Sequence, residues 1–140
     1  MMKKITKAYL KELSYEITGA AIEVHRVMGP GLLESLYEQC MILELALRGI
    51  KVESQKSVPA VYKGTTLEVG LRYDLFVENC IVTELKAVND WHPIFDAKGI
   101  TYAKLLKAPK VILINFNCTN IWKEGQKSFV TEYYRNLPEE

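Results

Sequence analysis

The stretch Leu71-Arg72-Tyr73-Asp74-Leu75-Phe76-Val77-Glu78-Asn79-Cys80-Ile81-Val82-Thr83-Glu84-Leu85-Lys86-Ala87-Val88 decides the fold. Its first half alternates. Val69, Leu71, Tyr73, Leu75 and Val77 share one face of a strand, and Gly70, Arg72, Asp74, Phe76 and Glu78 share the other. Asn79 marks a hairpin turn, and Cys80 to Val88 reads as the returning strand. A three-residue loop, Glu78-Asn79-Cys80, sets Val77 opposite Ile81, Asp74 opposite Glu84 and Arg72 opposite Lys86. That register gathers Leu71, Tyr73, Leu75, Val77, Ile81, Leu85 and Ala87 on the core side. A two-residue loop would part the two carboxylates and mix the apolar set, so periodicity favours the longer loop.

Upstream, Ile17, Ala21, Val24 and Met28 recur at helical spacing from Ser14 onward, and Gly29-Pro30-Gly31 stops that helix. The first dozen residues read as a helical extension. A second stripe, Leu33, Leu36, Tyr37, Cys40, Leu43 and Leu47, marks a second helix with Gly49 as its C-terminal cap. Lys51 to Tyr62 alternates like a strand, and Lys63-Gly64 is a turn. Downstream, Asp90 or His92 caps a helix from Pro93 to about Lys107. Lys110 to Phe116 is a buried strand, reached by a parallel crossover through that helix. The tail holds a strand near Ile121 and a short helix or strand near Phe129 to Tyr133. The sequence describes one α/β domain over residues 1–140, without repeats or a linker.

Composition agrees with that class. The chain has 140 residues, 49% hydrophobic and 25% charged, which excludes disordered and collagen-like architectures. Eighteen basic and seventeen acidic residues leave a net charge of +1, against a dedicated non-specific nucleic-acid binder. Cys40, Cys80 and Cys118 have no zinc spacing and make no even set, which fits reduced intracellular thiols. Met1-Met2-Lys3-Lys4-Ile5 opens like a signal peptide, but Lys7, Lys11, Glu12 and Glu16 interrupt any apolar run. The expectation is a cytoplasmic protein with no membrane span.

Two facing carboxylates repel and require a cation. A divalent ion is one answer: Mg²⁺ takes a couple of carboxylates, keeps several waters and is completed by phosphate oxygens. It would acidify a bound water, and Lys86 beside it would orient that water or stabilise the phosphorane-like transition state. Alternatively, Asp74, Glu84, Arg72 and Lys86 form a neutral ion-pair ladder on a solvated face. On spacing alone the ladder is the commoner arrangement.

Asp74 followed ten residues later by Glu84-Leu85-Lys86 resembles the D…(D/E)xK signature of the PD-(D/E)xK nuclease superfamily. Gly31-Leu32-Leu33-Glu34-Ser35-Leu36-Tyr37 resembles the motif that names the GxxExxY family within it. Similarity continues through Val24-His25, Gly29-Pro30-Gly31, Ala87-Val88 and Ile114-Asn115-Phe116-Asn117, covering Ser14 to Val130. The resemblance implies an αβββαβ core, a mixed sheet flanked by helices. It implies that Asp74, Glu84 and the Leu85 carbonyl bind Mg²⁺ or Mn²⁺, that Lys86 is the catalytic lysine, and that Glu34 holds a metal-bound water. Glu34 read from its position alone is a first-turn acid favoured by the helix dipole.

Related nucleases carry a QxxxY motif on the crossover helix. Here Tyr102 matches, while Lys98 stands at the glutamine position. On one helical face, Lys98 either contacts a phosphate or mimics the charge of the metal. Lys98, Tyr102 and Arg72 are the candidate substrate contacts. His25 and His92 lack ligand spacing and read as structural, as does Tyr37, a core ring with a hydrogen-bonded tip. Trp91 and Trp122 could stack on bases but more often pack, and Lys104, Lys107 and Lys110 make a modest basic face. The expected activity is metal-dependent phosphodiester hydrolysis of nucleic acid, DNA before RNA. The alternatives are an inactive nuclease fold binding nucleic acid or a protein, including a second copy of itself, and a purely structural module.

Overall fold

A computed structural model describes residues 4–140. Met1-Met2-Lys3, the opening of the charged start, lies outside them. Thr6 caps helix α1, Lys7–Met28, by accepting the Tyr9 N–H on its hydroxyl at 3.0 Å. The expected N-terminal extension is therefore the first part of α1 rather than a separate element: Leu10 and Leu13 continue the buried stripe of Ile17, Ala21 and Val24.

Helix α2, Glu34–Leu47, corrects the sequence reading. Its buried residues are Tyr37, Met41 and Leu45, one turn apart. Leu33 at its N-cap is 76% exposed, and Leu43 and Leu47 are 62% and 74% exposed. A helix apolar on more than one side does not reveal by periodicity which side turns inward. The ring of Tyr37, stacked on Phe116 at 4.3 Å between centroids, marks the inward side.

The sheet has the order β1-β4-β5-β6-β7, with β1 Val52–Ser54, β4 Leu75–Val77, β5 Ile81–Lys86, β6 Lys110–Asn115 and β7 Gln126–Val130. β1, β4 and β5 run antiparallel in turn, β6 lies parallel to β5, and β7 returns antiparallel. The stretch read as one strand to Tyr62 breaks after Ser54. β2, Ala60–Tyr62, turns at Lys63-Gly64 into β3, Thr65–Leu67, as a separate two-stranded hairpin. Helix α3, Pro93–Leu105, makes the parallel crossover, and the His92 ring caps it by accepting the Ile94 N–H at 3.0 Å. In the tail, the strand expected near Ile121 is a single π-helical turn, Ile121–Gly125; the strand follows as β7 and then α4, Glu132–Arg135.

The hairpin register is the expected one. Val77 opposes Ile81, Phe76 opposes Val82 and Leu75 opposes Thr83. Helices α1 and α2 cover one face over Leu75, Val77, Ile81, Leu85, Ile112 and Ile114. Helix α3 covers the other over Val82, Val111 and Leu113. At Gly99 a Cβ would meet Val111 and Leu113 side chains at 3.1 Å, so glycine lets α3 lie close to the sheet.

The even alternation fails at its upstream end. Tyr73 packs with Val82 and Tyr102 on the α3 side, Leu71 joins it, and Val69 is 62% exposed. Gln55, across from this point, has φ 53, a left-handed backbone that breaks the straight course of β1. Beyond it, Ser57 bridges Arg72. β4–β5 pairing therefore ends at Leu75–Thr83, and Arg72 does not continue the ladder opposite Lys86.

Candidate active site

Where β4 and β5 part, two carboxylates supply the missing ladder bonds. The Asp74 N–H donates to Glu84 Oε2 at 2.7 Å, and the Leu85 N–H donates to Asp74 Oδ2 at 2.9 Å. By the register, Tyr73 would have stood opposite Leu85; the chain has turned it away, and the Asp74 side chain takes its place. The ladder stops one pair short of Asp74 and Glu84, and the two residues are joined backbone to side chain instead of standing as a directly opposed pair.

Glu84 is only 3% exposed. Burial, and then the Asp74 charge, push its carboxyl up to about 7, against the hydrogen bond from the Asp74 N–H and the nearby charges of Lys98 and Lys86. Lys86 shares the face of Glu84 on β5, and its Nζ rests over the Phe95 ring, 4.6 Å from the centroid. Lys98 on α3 holds its Nζ 5.4 Å from the Tyr102 ring centroid. Tyr102 itself is 6% exposed and packs in the α3-side cluster. Arg72 stays outside, its guanidinium donating to the Gln55 carbonyl at 3.4 Å.

Glu34 reaches the site from the other side. The loop before α2 turns at Gly29 (φ 76) and Gly31 (φ 88), conformations open to glycine. The Tyr37 hydroxyl pins this loop, donating to the Gly29 carbonyl at 2.5 Å and accepting the Leu32 N–H at 3.1 Å. The turn so fixed aims Glu34 at the end of β5, where Oε2 accepts the Ala87 N–H at 3.3 Å. Asn115 steadies the same segment through both ends of its amide, accepting from the Val88 N–H at 3.1 Å and donating to the Val88 carbonyl at 3.0 Å. The Gly31, Glu34 and Tyr37 pattern and the Asn115 to Asn117 segment are thus parts of one support. His25 is structural as read, its Nε2 lying 2.8 Å from the Cys118 carbonyl.

Glu34, Asp74 and Leu85 line one cavity of about 170 Å³ with Ser35, Glu38 and Gln55. Glu84 is bonded to the Asp74 backbone and is not part of that lining. Sequence reading missed Glu38 and Gln55. Glu38 follows Glu34 by one helical turn, a spacing that could have flagged it. Gln55 carries no such signal. Burial and the Asp74 charge push the Glu38 carboxyl up, while the Gln55 amide opposes the shift.

Among the described residues no three His, Cys, Asp or Glu side chains form a ready ion cluster. The donor chemistry nonetheless suits Mg²⁺. Asp74 and Glu84 offer hard carboxylate oxygens, a positive charge beside Glu84 favours its ionised form against the cost of burial, and Mg²⁺ asks for only one or two protein carboxylates.

A mixed sheet with this paired-carboxylate hairpin and following lysine is a nuclease-like architecture. A family model of the PD-(D/E)XK nuclease superfamily matches residues 11–128, and the chain belongs to that superfamily. The superfamily typically uses Mg²⁺. No curated protein and no solved structure matches the chain. No described helix is long and apolar enough to cross a membrane.

Proposed function

We propose that this chain is a Mg²⁺- or Mn²⁺-dependent nuclease of the GxxExxY branch, hydrolysing phosphodiester bonds in nucleic acid, DNA before RNA. The observation that carries the reading is the reciprocal bonding of Asp74 and Glu84 around a carboxyl raised to about 7. Burying a carboxyl so far that its charged form is disfavoured costs a domain stability, and a divalent cation gives it a use. Asp74, Glu84 and the Leu85 carbonyl would hold the ion, which when bound supplies a Lewis acid for water and phosphate. Glu34 orients the attacking water from across the cavity. Lys86 meets the phosphate as negative charge builds on its oxygens, with its ammonium already placed by Phe95. Water oxygen bonds to phosphorus and gives up a proton to solvent, the bond from phosphorus to the leaving sugar oxygen breaks, and that oxygen takes a proton from solvent.

Incubation with Mg²⁺ or Mn²⁺ and single-stranded, duplex and branched DNA, and RNA, tests this. Lys86→Ala and Asp74→Ala should each cut the rate by about 100-fold or more. Equal cleavage by wild type and both variants would remove the assignment.

A second reading has its own observation. The positive charge of Lys98 already bears on Glu84, so a nuclease fold that binds without cutting could use Lys98 as a permanent counter-ion. Lys98→Gln then restores metal binding that wild type lacks. For a protein partner or a homodimer, the support is the exposed row Leu33, Leu36, Leu43 and Leu47. With Cys40 it keeps the alternating three- and four-residue spacing of a helix-pairing seam. Sedimentation of wild type and Leu43→Glu tests it. A cytoplasmic location remains the expectation from reduced, scattered cysteines.

A further inference from the structure

Gln55 has no place in the motif, yet it is bonded to more of the site than any other uncharged residue near it. Its side-chain Nε2 donates to Glu38 Oε1 at 2.6 Å and to Asp74 Oδ1 at 3.3 Å. Its backbone N–H donates to the Asp74 carbonyl at 3.1 Å. It adopts φ 53 without being glycine, a strained conformation that persists where surrounding structure holds it. With the Leu85 N–H on Oδ2, both oxygens of Asp74 have one donor each. Two donors in fixed places set the plane of a carboxylate.

The geometry points to Gln55 as the positioning residue of the site: its amide, anchored by Glu38, holds the Asp74 carboxylate in the orientation that receives a divalent cation. The assignment rests on the nuclease reading above. An amide suits the task because one NH₂ group carries two protons and can bridge two carboxylates. It is also neutral. A lysine or arginine there would bridge as well, but would cancel the charge that attracts the ion. Glu38 acts through Gln55, as the fixed post against which the amide is braced. Partners one step behind metal-binding groups are commonly worth about 10–100-fold in metal affinity.

Three variants separate the amide from the backbone. Gln55→Leu keeps the side-chain bulk and the strained φ but has no donor. Gln55→Glu keeps the shape and exchanges the donor for a third carboxylate. Gln55→Gly removes the amide and relieves the strain. Two readouts apply: Mn²⁺ alone, titrated by calorimetry and by its paramagnetic resonance signal, and hydrogen exchange of the Leu85 amide in metal-free protein. All three variants should bind Mn²⁺ about tenfold more weakly or worse. In all three the Leu85 N–H should exchange several-fold faster, because its acceptor is no longer held. Mn²⁺ affinity and Leu85 exchange both unchanged in Gln55→Leu would overturn the assignment. So would full recovery in Gln55→Gly, which would make the effect one of backbone strain, or tighter binding by Gln55→Glu, which would make it one of charge. Wild type that binds no Mn²⁺ defeats the nuclease reading instead, and the Leu85 exchange then decides the Gln55 assignment alone.

Discussion

The two faces of the sheet are built to different ends. Under α1 and α2 the buried side chains are almost all apolar, from Leu10, Ile17 and Ala21 to Leu75, Ile81, Ile112 and Ile114. Under α3, Val82, Val111 and Leu113 share the face with Glu84, a carboxylate denied water, and with Lys86 and Lys98 near it. β5 serves both faces, since its residues alternate. The first face supplies stability, and the second gives some of it up to bury the Glu84 carboxyl. Substitutions on the two faces should therefore differ in sign as well as size.

The largest expected effect lies on the apolar face. Ile17 has no exposed surface, so Ile17→Ala should cost about 2–5 kcal/mol of stability by lost burial and the cavity left behind. Thermal unfolding measures it. Mn²⁺ affinity of the folded fraction should stay at the wild-type value; a matching loss of metal binding would show that the faces are not independent.

Glu84 should behave oppositely. Burial pushes its folded carboxyl up to about 7, above the ordinary 4.5. Between those values the folded state keeps a proton that the unfolded chain has released, so metal-free stability falls as pH rises through the window. The full difference is on the order of 3 kcal/mol. Glu84→Gln should flatten the profile, raise the metal-free melting temperature at pH 8 and abolish Mn²⁺ binding. In wild type, Mg²⁺ should raise the melting temperature more at pH 8 than at pH 5. A metal-free protein whose stability is flat from pH 5 to 8 would mean that Glu84 is not paying a burial cost.

Legibility in the sequence followed the same division. The strand hairpin could be read because its two-residue period changes sides if the register slips by one, and only one register kept Leu75, Val77, Ile81 and Leu85 together. That same register brought Asp74 to Glu84. Helix α2 could not be read as well, because Leu33, Leu36, Leu43 and Leu47 make as good a stripe as Tyr37, Met41 and Leu45. Only the packing of Tyr37 on Phe116, distant in sequence, separates them. Tyr73 departs from the strand alternation because the turn at Gln55 is a backbone event on a neighbouring strand. Gln55 and Glu38 escaped for a related reason: their role comes from three elements meeting, and no spacing along one element encodes it.

Tyr37 offers the finest test, since it belongs to both regions. Its ring is core on the apolar face, while its hydroxyl holds the loop that aims Glu34. Tyr37→Phe keeps the ring and removes one donor and one acceptor from Gly29 and Leu32. The loop is near the surface and water can replace part of the loss, so the stability cost should be about 1 kcal/mol. Glu34 should suffer more than the fold does, because its position depends on that turn. The Ala87 N–H, which Glu34 Oε2 accepts, should then lose exchange protection, and cleavage should slow more than the change in melting temperature would suggest. Leu33→Ala, at the exposed N-cap beside it, should do neither. If Tyr37→Phe changes the melting temperature alone, the Gly31, Glu34 and Tyr37 pattern belongs to the apolar face and the motif is one of stability.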